Sequence, residues 1–266
     1  MNRPSDYLPL ERFTGLAKLY SQYRPTYPAA ALDYIILRAR LNAQSVLVDV
    51  GCGTGIASRQ FAERGMSVIG IEPNEEMRRK AEAEEISSEV STLCYQEGRA
   101  EATGLPAASA DSVLAAQAFH WFEGEAALRE FHRLLKPNGF AVLMWNERDE
   151  SDPFTHAYGD GVRRLTNAEV FEPFHGRGEV LLKSPLFADG EQAFFPNDQI
   201  LDEEGVLGRA FSVSYAPRDG TPAQEYADEV REIFYRFQRE GKIIMRYQTS
   251  VFLARRRALV STSNIS

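Results

Sequence analysis

Cysteine is scarce in this chain. Cys52 and Cys94 are the only two in 266 residues, too few for a disulfide framework, and no Cys/His cluster has the spacing of a zinc site. No bound metal is expected, and a reducing cytoplasmic compartment fits. Long apolar runs are also missing. None approaches the ~18 residues of a membrane span, and the first residues lack the basic, apolar and small-residue succession of an export signal. Neither a membrane nor secretion is expected. Positive charge is in deficit, with 30 Lys and Arg against 38 Asp and Glu for a net charge of −8. Such a balance repels a phosphate backbone, so nucleic acid is not an expected partner. The one dense basic run, Arg255 to Arg257, reads as a solvated strand end.

The remainder has the mix of an ordinary globular protein, 44% hydrophobic and 26% charged, long enough for one substantial core. Val46 to Val50 is a β-branched run that ends in glycines, with Ile56, Ala57, Gln60 and Phe61 following at helical spacing. That predicts strand, tight turn, helix. Ser67 to Glu72 reads as a second strand and Pro73-Asn74 introduces a charged helix to Glu85. Further strands are expected at 92–96, 112–116, 139–145 and 243–253, with helices at 125–135 and 223–239. Near the N-terminus, helices are expected from Phe13 to Tyr23 and from Ala29 to Arg40. The alternation predicts a Rossmann-like α/β fold, a doubly wound, mostly parallel seven-stranded sheet. Four regions follow: lid helices at 1–40, a nucleotide-binding core at 41–148, an inserted cap at 149–215, and a helix and last strand at 216–266 completing the sheet.

The turn Gly51-Cys52-Gly53-Thr54-Gly55 lets a ligand approach the backbone, and the helix after it offers unpaired N–H groups. Its spacing separates cofactors. A dinucleotide fingerprint needs a third glycine where Ile56 stands, and no Lys-Ser or Lys-Thr pair follows to hold a triphosphate. Glu72, 17 residues past Gly55 at a strand end, is placed to accept two ribose hydroxyls. Ribose without diphosphate is the combination implied.

Val48-Asp49-Val50-Gly51-Cys52-Gly53-Thr54-Gly55 resembles the first motif of class I S-adenosylmethionine (SAM)-dependent methyltransferases, and Ile71-Glu72-Pro73-Asn74 the second. Gly98-Arg99-Ala100-Glu101, Leu105-Pro106, Asp111 and Leu134-Leu135-Lys136-Pro137-Asn138-Gly139 are similar to segments of the type 11 group. Gln117-Ala118-Phe119-His120-Trp121-Phe122 resembles a small-molecule subgroup that includes proteins similar to trans-aconitate methyltransferase. The likeness runs well from about Phe13 to Trp145 and weakly beyond.

It implies SAM as cofactor and S-adenosylhomocysteine as product. It places Gly51, Gly53 and neighbouring backbone at the methionine part, with Asp49 orienting the turn or the amino group, Glu72 at the ribose, Ala100 and Glu101 at the adenine, Gln117 at the sulfonium, and Gly55 and Pro73 among the cofactor-binding residues. Arg99 stands where many relatives carry Asp. Tyr20 to Pro28 resembles a lid over the cofactor, which makes Tyr20 and Arg24 pocket candidates. Arg24 would pair with a carboxylate of either the cofactor or an acidic substrate. His120 is a candidate general base, and Trp121, Trp145, Asn146 and Tyr215 are candidates for the substrate pocket. The implied reaction is in-line methyl transfer to a small-molecule carboxylate, amine or hydroxyl. The alternative is a SAM-binding protein with a regulatory or structural role and no transfer.

Overall fold

A computed structural model describes residues 15–84, 92–166 and 178–258; Phe13 and Glu85, where two helices were expected to begin and end, lie outside them. Short helices α1 (Ala17–Tyr23) and α2 (Ala29–Arg38) precede the sheet. Arg24 turns extended at ψ 140 and closes α1, as a residue before proline must when the pyrrolidine ring excludes helical backbone.

The core alternates β1 (Val46–Val50), α3 (Ile56–Ala62), β2 (Ser67–Ile71), α4 (Glu75–Ala83), β3 (Leu93–Gln96), β4 (Ala110–Ala116), α5 (Gly124–Leu134) and β5 (Leu135–Arg148). Beyond it lie α6 (Pro153–Leu165), α7 (Glu179–Lys183), β6 (Phe187–Leu201), α8 (Glu203–Phe211), α9 (Gly220–Phe237) and β7 (Ile243–Arg256). The seven strands stand in the order β3-β2-β1-β4-β5-β7-β6. The first five are parallel, and β7 runs antiparallel to both β5 and β6.

Successive residues of a strand face opposite sides, and two apolar layers follow. Val48, Val50, Val113 and Leu143 pack with Phe131 of α5 on one side. Leu47, Leu114 and Val142 pack with Leu32 and Ile35 of α2 and Phe61 of α3 on the other. Helix starts are fixed by their caps: Asn74 Oδ1 accepts from Met77 N at 3.0 Å, Asp152 from Thr155 N at 2.9 Å and Asp202 from Gly205 N at 2.8 Å, each satisfying a first-turn N–H.

The stretch 149–215, expected as a cap, is part sheet. Its strand β6 is the sheet's outer edge, pairing with β7 from Phe187↔Arg256 to Leu201↔Ile243. An edge strand with one solvated face needs little apolar sequence, so its polar residues and Pro196 concealed it. β7 alternates between buried and exposed residues over Ile243–Gln248 and is continuously buried from Thr249 to Ala254. Its first half, with α6, α8 and α9, forms a third apolar cluster around Tyr158, Val206, Tyr226, Phe234 and Met245.

Candidate functional site

The carboxyl ends of β1, β2 and β4 open into a cavity of about 250 Å³, at the edge where open α/β sheets bind ligands. Its floor is the glycine turn. Gly51, Gly53 and Gly55 have φ of 70°, 57° and 78°, left-handed values that penalise a side chain by ~1–2 kcal/mol. The three differ in what surrounds them. A Cβ on Gly51 would stand 2.7 Å from the Ala118 Cβ, and one on Gly55 would collide with the Tyr95 hydroxyl, whereas one on Gly53 would meet nothing within 4 Å. Gly51 and Gly53 line the cavity; Gly55 does not, and packs against Tyr95.

Two carboxylates face each other across this turn. Glu72, at the end of β2, accepts from Gly53 N through Oε2 at 2.9 Å and from Asn74 N through Oε1 at 2.9 Å. Asp49 is fully buried in β1. Its Oδ2 accepts from Ser58 Oγ at 2.6 Å, while Oδ1 has no partner among the described residues. Burial is the main reason that the Asp49 carboxyl is pushed up to about 7; the Ser58 hydrogen bond opposes the shift and the charge of Glu72 adds to it. Burial also raises Glu72, against the pull of its two backbone donors. An orphaned buried carboxylate oxygen in a cavity wall is an electrostatic invitation to a cation.

Of the residues expected at the cofactor, Tyr20, Asp49, Gly51, Gly53, Glu72, Pro73, Ala100, Glu101 and Gln117 all line the cavity, with Trp121 beside them. Sequence reading missed Tyr27, Ile56, Met77 and Phe122, which supply much of the apolar wall; Met77 had a signal, since it lies in the first turn of the helix that Asn74 caps. Gln117 holds a left-handed φ of 54°, and its Nε2 donates to Asn146 O at 3.0 Å.

Arg24, His120, Trp145, Asn146 and Tyr215 do not line this cavity. Trp145 is buried, and its Nε1 donates to His120 Nδ1 in a long contact of 3.5 Å. The Asn146 side chain is a junction: Oδ1 accepts from Thr249 and Asn197, and Nδ2 donates to Thr26 O at 3.1 Å. Thr26 O also accepts from Asn197 Nδ2 at 2.8 Å, and Gln60 holds the Tyr27 backbone on both sides. The segment between α1 and α2, which carries Tyr27, is thereby tied across α3, β5 and β6.

Residues 48–143 match the Methyltransf_11 family model, a methyltransferase domain. An uncharacterized methyltransferase-like protein of Schizosaccharomyces pombe is 28% identical over 263 residues, 93% of this chain and 96% of that protein. An uncharacterized methyltransferase of Mycobacterium tuberculosis is 37% identical over 152 residues, 57% of this chain and 59% of that one. Among solved structures, the YcgJ protein of Bacillus subtilis matches with a TM-score of 0.58 at 19% identity, over 87% of this chain and all of that one. The [4+2]-cyclase SpnF matches with a TM-score of 0.54 at 16% identity, over 92% and 93%. The glycine turn that floors the cavity thus lies inside the matched segment, and the chain carries a Methyltransf_11 domain, a methyltransferase domain, at its core, in a fold shared with solved methyltransferase structures.

Proposed function

We propose that the protein transfers a methyl group from SAM to a small-molecule acceptor. The observation that carries this reading is the pair of buried carboxylates at one glycine turn: Asp49, with an unpartnered oxygen, and Glu72, fixed by two backbone donors. A carboxylate has about four lone-pair sites, so Glu72 retains acceptor capacity for two ribose hydroxyls. Asp49 Oδ1 would take the cofactor's ammonium. Gly53, whose Cβ direction is empty, lets the methionine part lie against the backbone. Arg99, Ala100 and Glu101 border the adenine side. The residues present therefore fit SAM.

When bound, SAM supplies an activated methyl electrophile. The chain's own task is to hold an acceptor atom in line behind that methyl at ~3–3.5 Å and to keep water out. Trp121 and Phe122 provide an apolar wall on the side of the strained Gln117, which is anchored through Asn146 to the segment that closes the cavity. His120 stands beside Trp121, with ring centroids 4.8 Å apart, and serves in this arrangement to support the wall.

The fold also houses a [4+2]-cyclase, which keeps a second reading in play: SAM binding without methyl transfer. Incubation with methyl-labelled SAM and a panel of small carboxylic acids, amines and phenols separates the two. Label in an acceptor, with S-adenosylhomocysteine released, is expected. Tight S-adenosylhomocysteine binding with no transfer to any acceptor would favour the second reading.

A further inference from the structure

Arg24 and Arg209 converge on Ser212. Arg24 Nη2 donates to the Ser212 carbonyl at 3.2 Å, and Arg209 Nη1 donates to the Ser212 hydroxyl at 3.4 Å. Arg209 is only 5% exposed, and its Nε donates to the Tyr247 hydroxyl at 3.0 Å. The buried Arg24 Nε has no partner among the described residues. Among the described residues neither guanidinium pairs with a carboxylate. Their neighbours are phenols, and burial holds Tyr158 up at about 12, so that phenol is neutral at physiological pH and supplies no counter-charge. Burial, and then the charge of Arg209, lower Arg24 below its ordinary range.

A buried guanidinium and a half-buried one that share one serine and, among the described residues, no carboxylate are costly unless an anion completes the set. The place is suited to substrate. Arg24 lies 4.7 Å over the Tyr20 ring, and Tyr20 lines the cofactor cavity. In a chain with a net charge of −8, a guanidinium stacked on a wall residue of the cavity focuses an attractive field on small anions.

We propose that Arg24 and Arg209 form an oxyanion clamp for the methyl acceptor, binding a carboxylate or phosphate group of that molecule. This rests on the cofactor assignment above. An ionised carboxylate acceptor has a lone pair ready for the methyl carbon: the new O–CH3 bond forms as the S–CH3 bond breaks, its electron pair returns to sulfur, and no proton is moved. An acceptor with a second anionic group would be held by that group while another atom reacts.

The test uses the full chain saturated with S-adenosylhomocysteine, titrated calorimetrically with succinate, glutarate, phenylacetate and glycerol 3-phosphate, and with succinamide and glutaramide as neutral controls. At least one anion is expected to bind at least tenfold tighter than its neutral counterpart. Arg24→Gln is expected to weaken that anion tenfold or more, Arg24→Lys to restore part of the loss, and S-adenosylhomocysteine affinity to change less than twofold in both. Anion binding that is no tighter than amide binding in the unmutated protein overturns the clamp without any variant having to fold. So does an Arg24→Gln variant that loses S-adenosylhomocysteine while keeping the anion, because the clamp would then serve the cofactor's own carboxylate. Failure of the unmutated protein to bind S-adenosylhomocysteine at all would instead remove the cofactor assignment.

Discussion

The backbone N–H of Gly53 donates to Oε2 of Glu72 across 2.9 Å, joining the turn after β1 to the end of β2. This bond makes the two sequence motifs one structural unit. The same carboxylate proposed to hold a ribose also holds the turn against which the methionine part would lie. Glu72→Ala should therefore weaken S-adenosylhomocysteine binding by more than a lost ribose contact. With charge-assisted hydrogen bonds worth ~1.5–3 kcal/mol each, a loss of about 10- to 100-fold or more is expected by calorimetry. Unchanged affinity would refute the ribose placement.

The three glycines of the turn should respond differently to alanine. Gly53→Ala meets no protein atom within 4 Å, so its stability cost should stay near the ~1–2 kcal/mol of a left-handed alanine, while ligand affinity falls sharply as the methyl enters the cavity. Gly51→Ala and Gly55→Ala collide with Ala118 and Tyr95 and should lower the melting temperature further. Thermal melts and ligand titrations on the three variants make the comparison; a Gly53→Ala protein with full affinity would place the ligand elsewhere.

Asp49 predicts a pH dependence with a definite sign. Its folded-state pKa of about 7 is raised above the ordinary 3.8, so the native state holds a proton that the unfolded chain releases. The stability associated with this group is present at low pH and lost as pH rises toward and through 7. Binding of a ligand ammonium runs the other way, because only the ionised carboxylate attracts it. The ionised fraction rises from about one tenth at pH 6 to about three quarters at pH 7.5. S-adenosylhomocysteine affinity should rise about eightfold over that interval. Asp49→Asn should flatten the profile, and an unaltered slope in that variant would assign the dependence to another group.

Thr26 O accepts from both Asn146 and Asn197, which latch the segment carrying Tyr27 over the cavity. Asn197→Ala removes one donor from the rim and should cost ~1 kcal/mol or less in global stability. Hydrogen exchange around residues 24–28 should nonetheless speed up and cofactor affinity drop several-fold. Equal exchange rates in the two proteins would mean that the latch does not hold this segment.

The Trp145 N–H is directed at His120 Nδ1 in a long contact of 3.5 Å, and the His120 ring packs beside Trp121. With an ionised acceptor no base is needed, so His120→Gln should lower kcat less than tenfold and leave the form of the pH–rate profile unchanged. A fall of ~10²–10⁴, the usual contribution of a general base, would restore His120 to proton transfer.

The parallel core was legible because its signals are local. β1, β2 and β4 are short, mainly apolar runs, Asn74 caps α4 within four residues, and the left-handed turn requires the glycines that the sequence displays. Strand β6 was illegible for the opposite reason. Its 15 residues are stabilised by pairing with β7 across a long stretch of chain, and an edge strand carries little of that in its own composition. Asn146 and Trp145 were expected at the substrate, but the described partners of Asn146 are Thr26, Gln117, Asn197 and Thr249, which sequence spacing cannot bring together.

Sequence alone determined the glycine-turn half of the cavity, since a glycine turn followed by an acidic residue on the next strand is built from neighbours along one βαβ unit, where backbone geometry leaves few alternatives. Only the tertiary structure decided the other half. Arg24 and Arg209 are 185 positions apart and meet at Ser212 because the segment after α1 and helix α8 pack onto the same end of the sheet. The charge left unbalanced there depends on what each guanidinium fails to meet, a property of packing that a one-dimensional pattern does not carry.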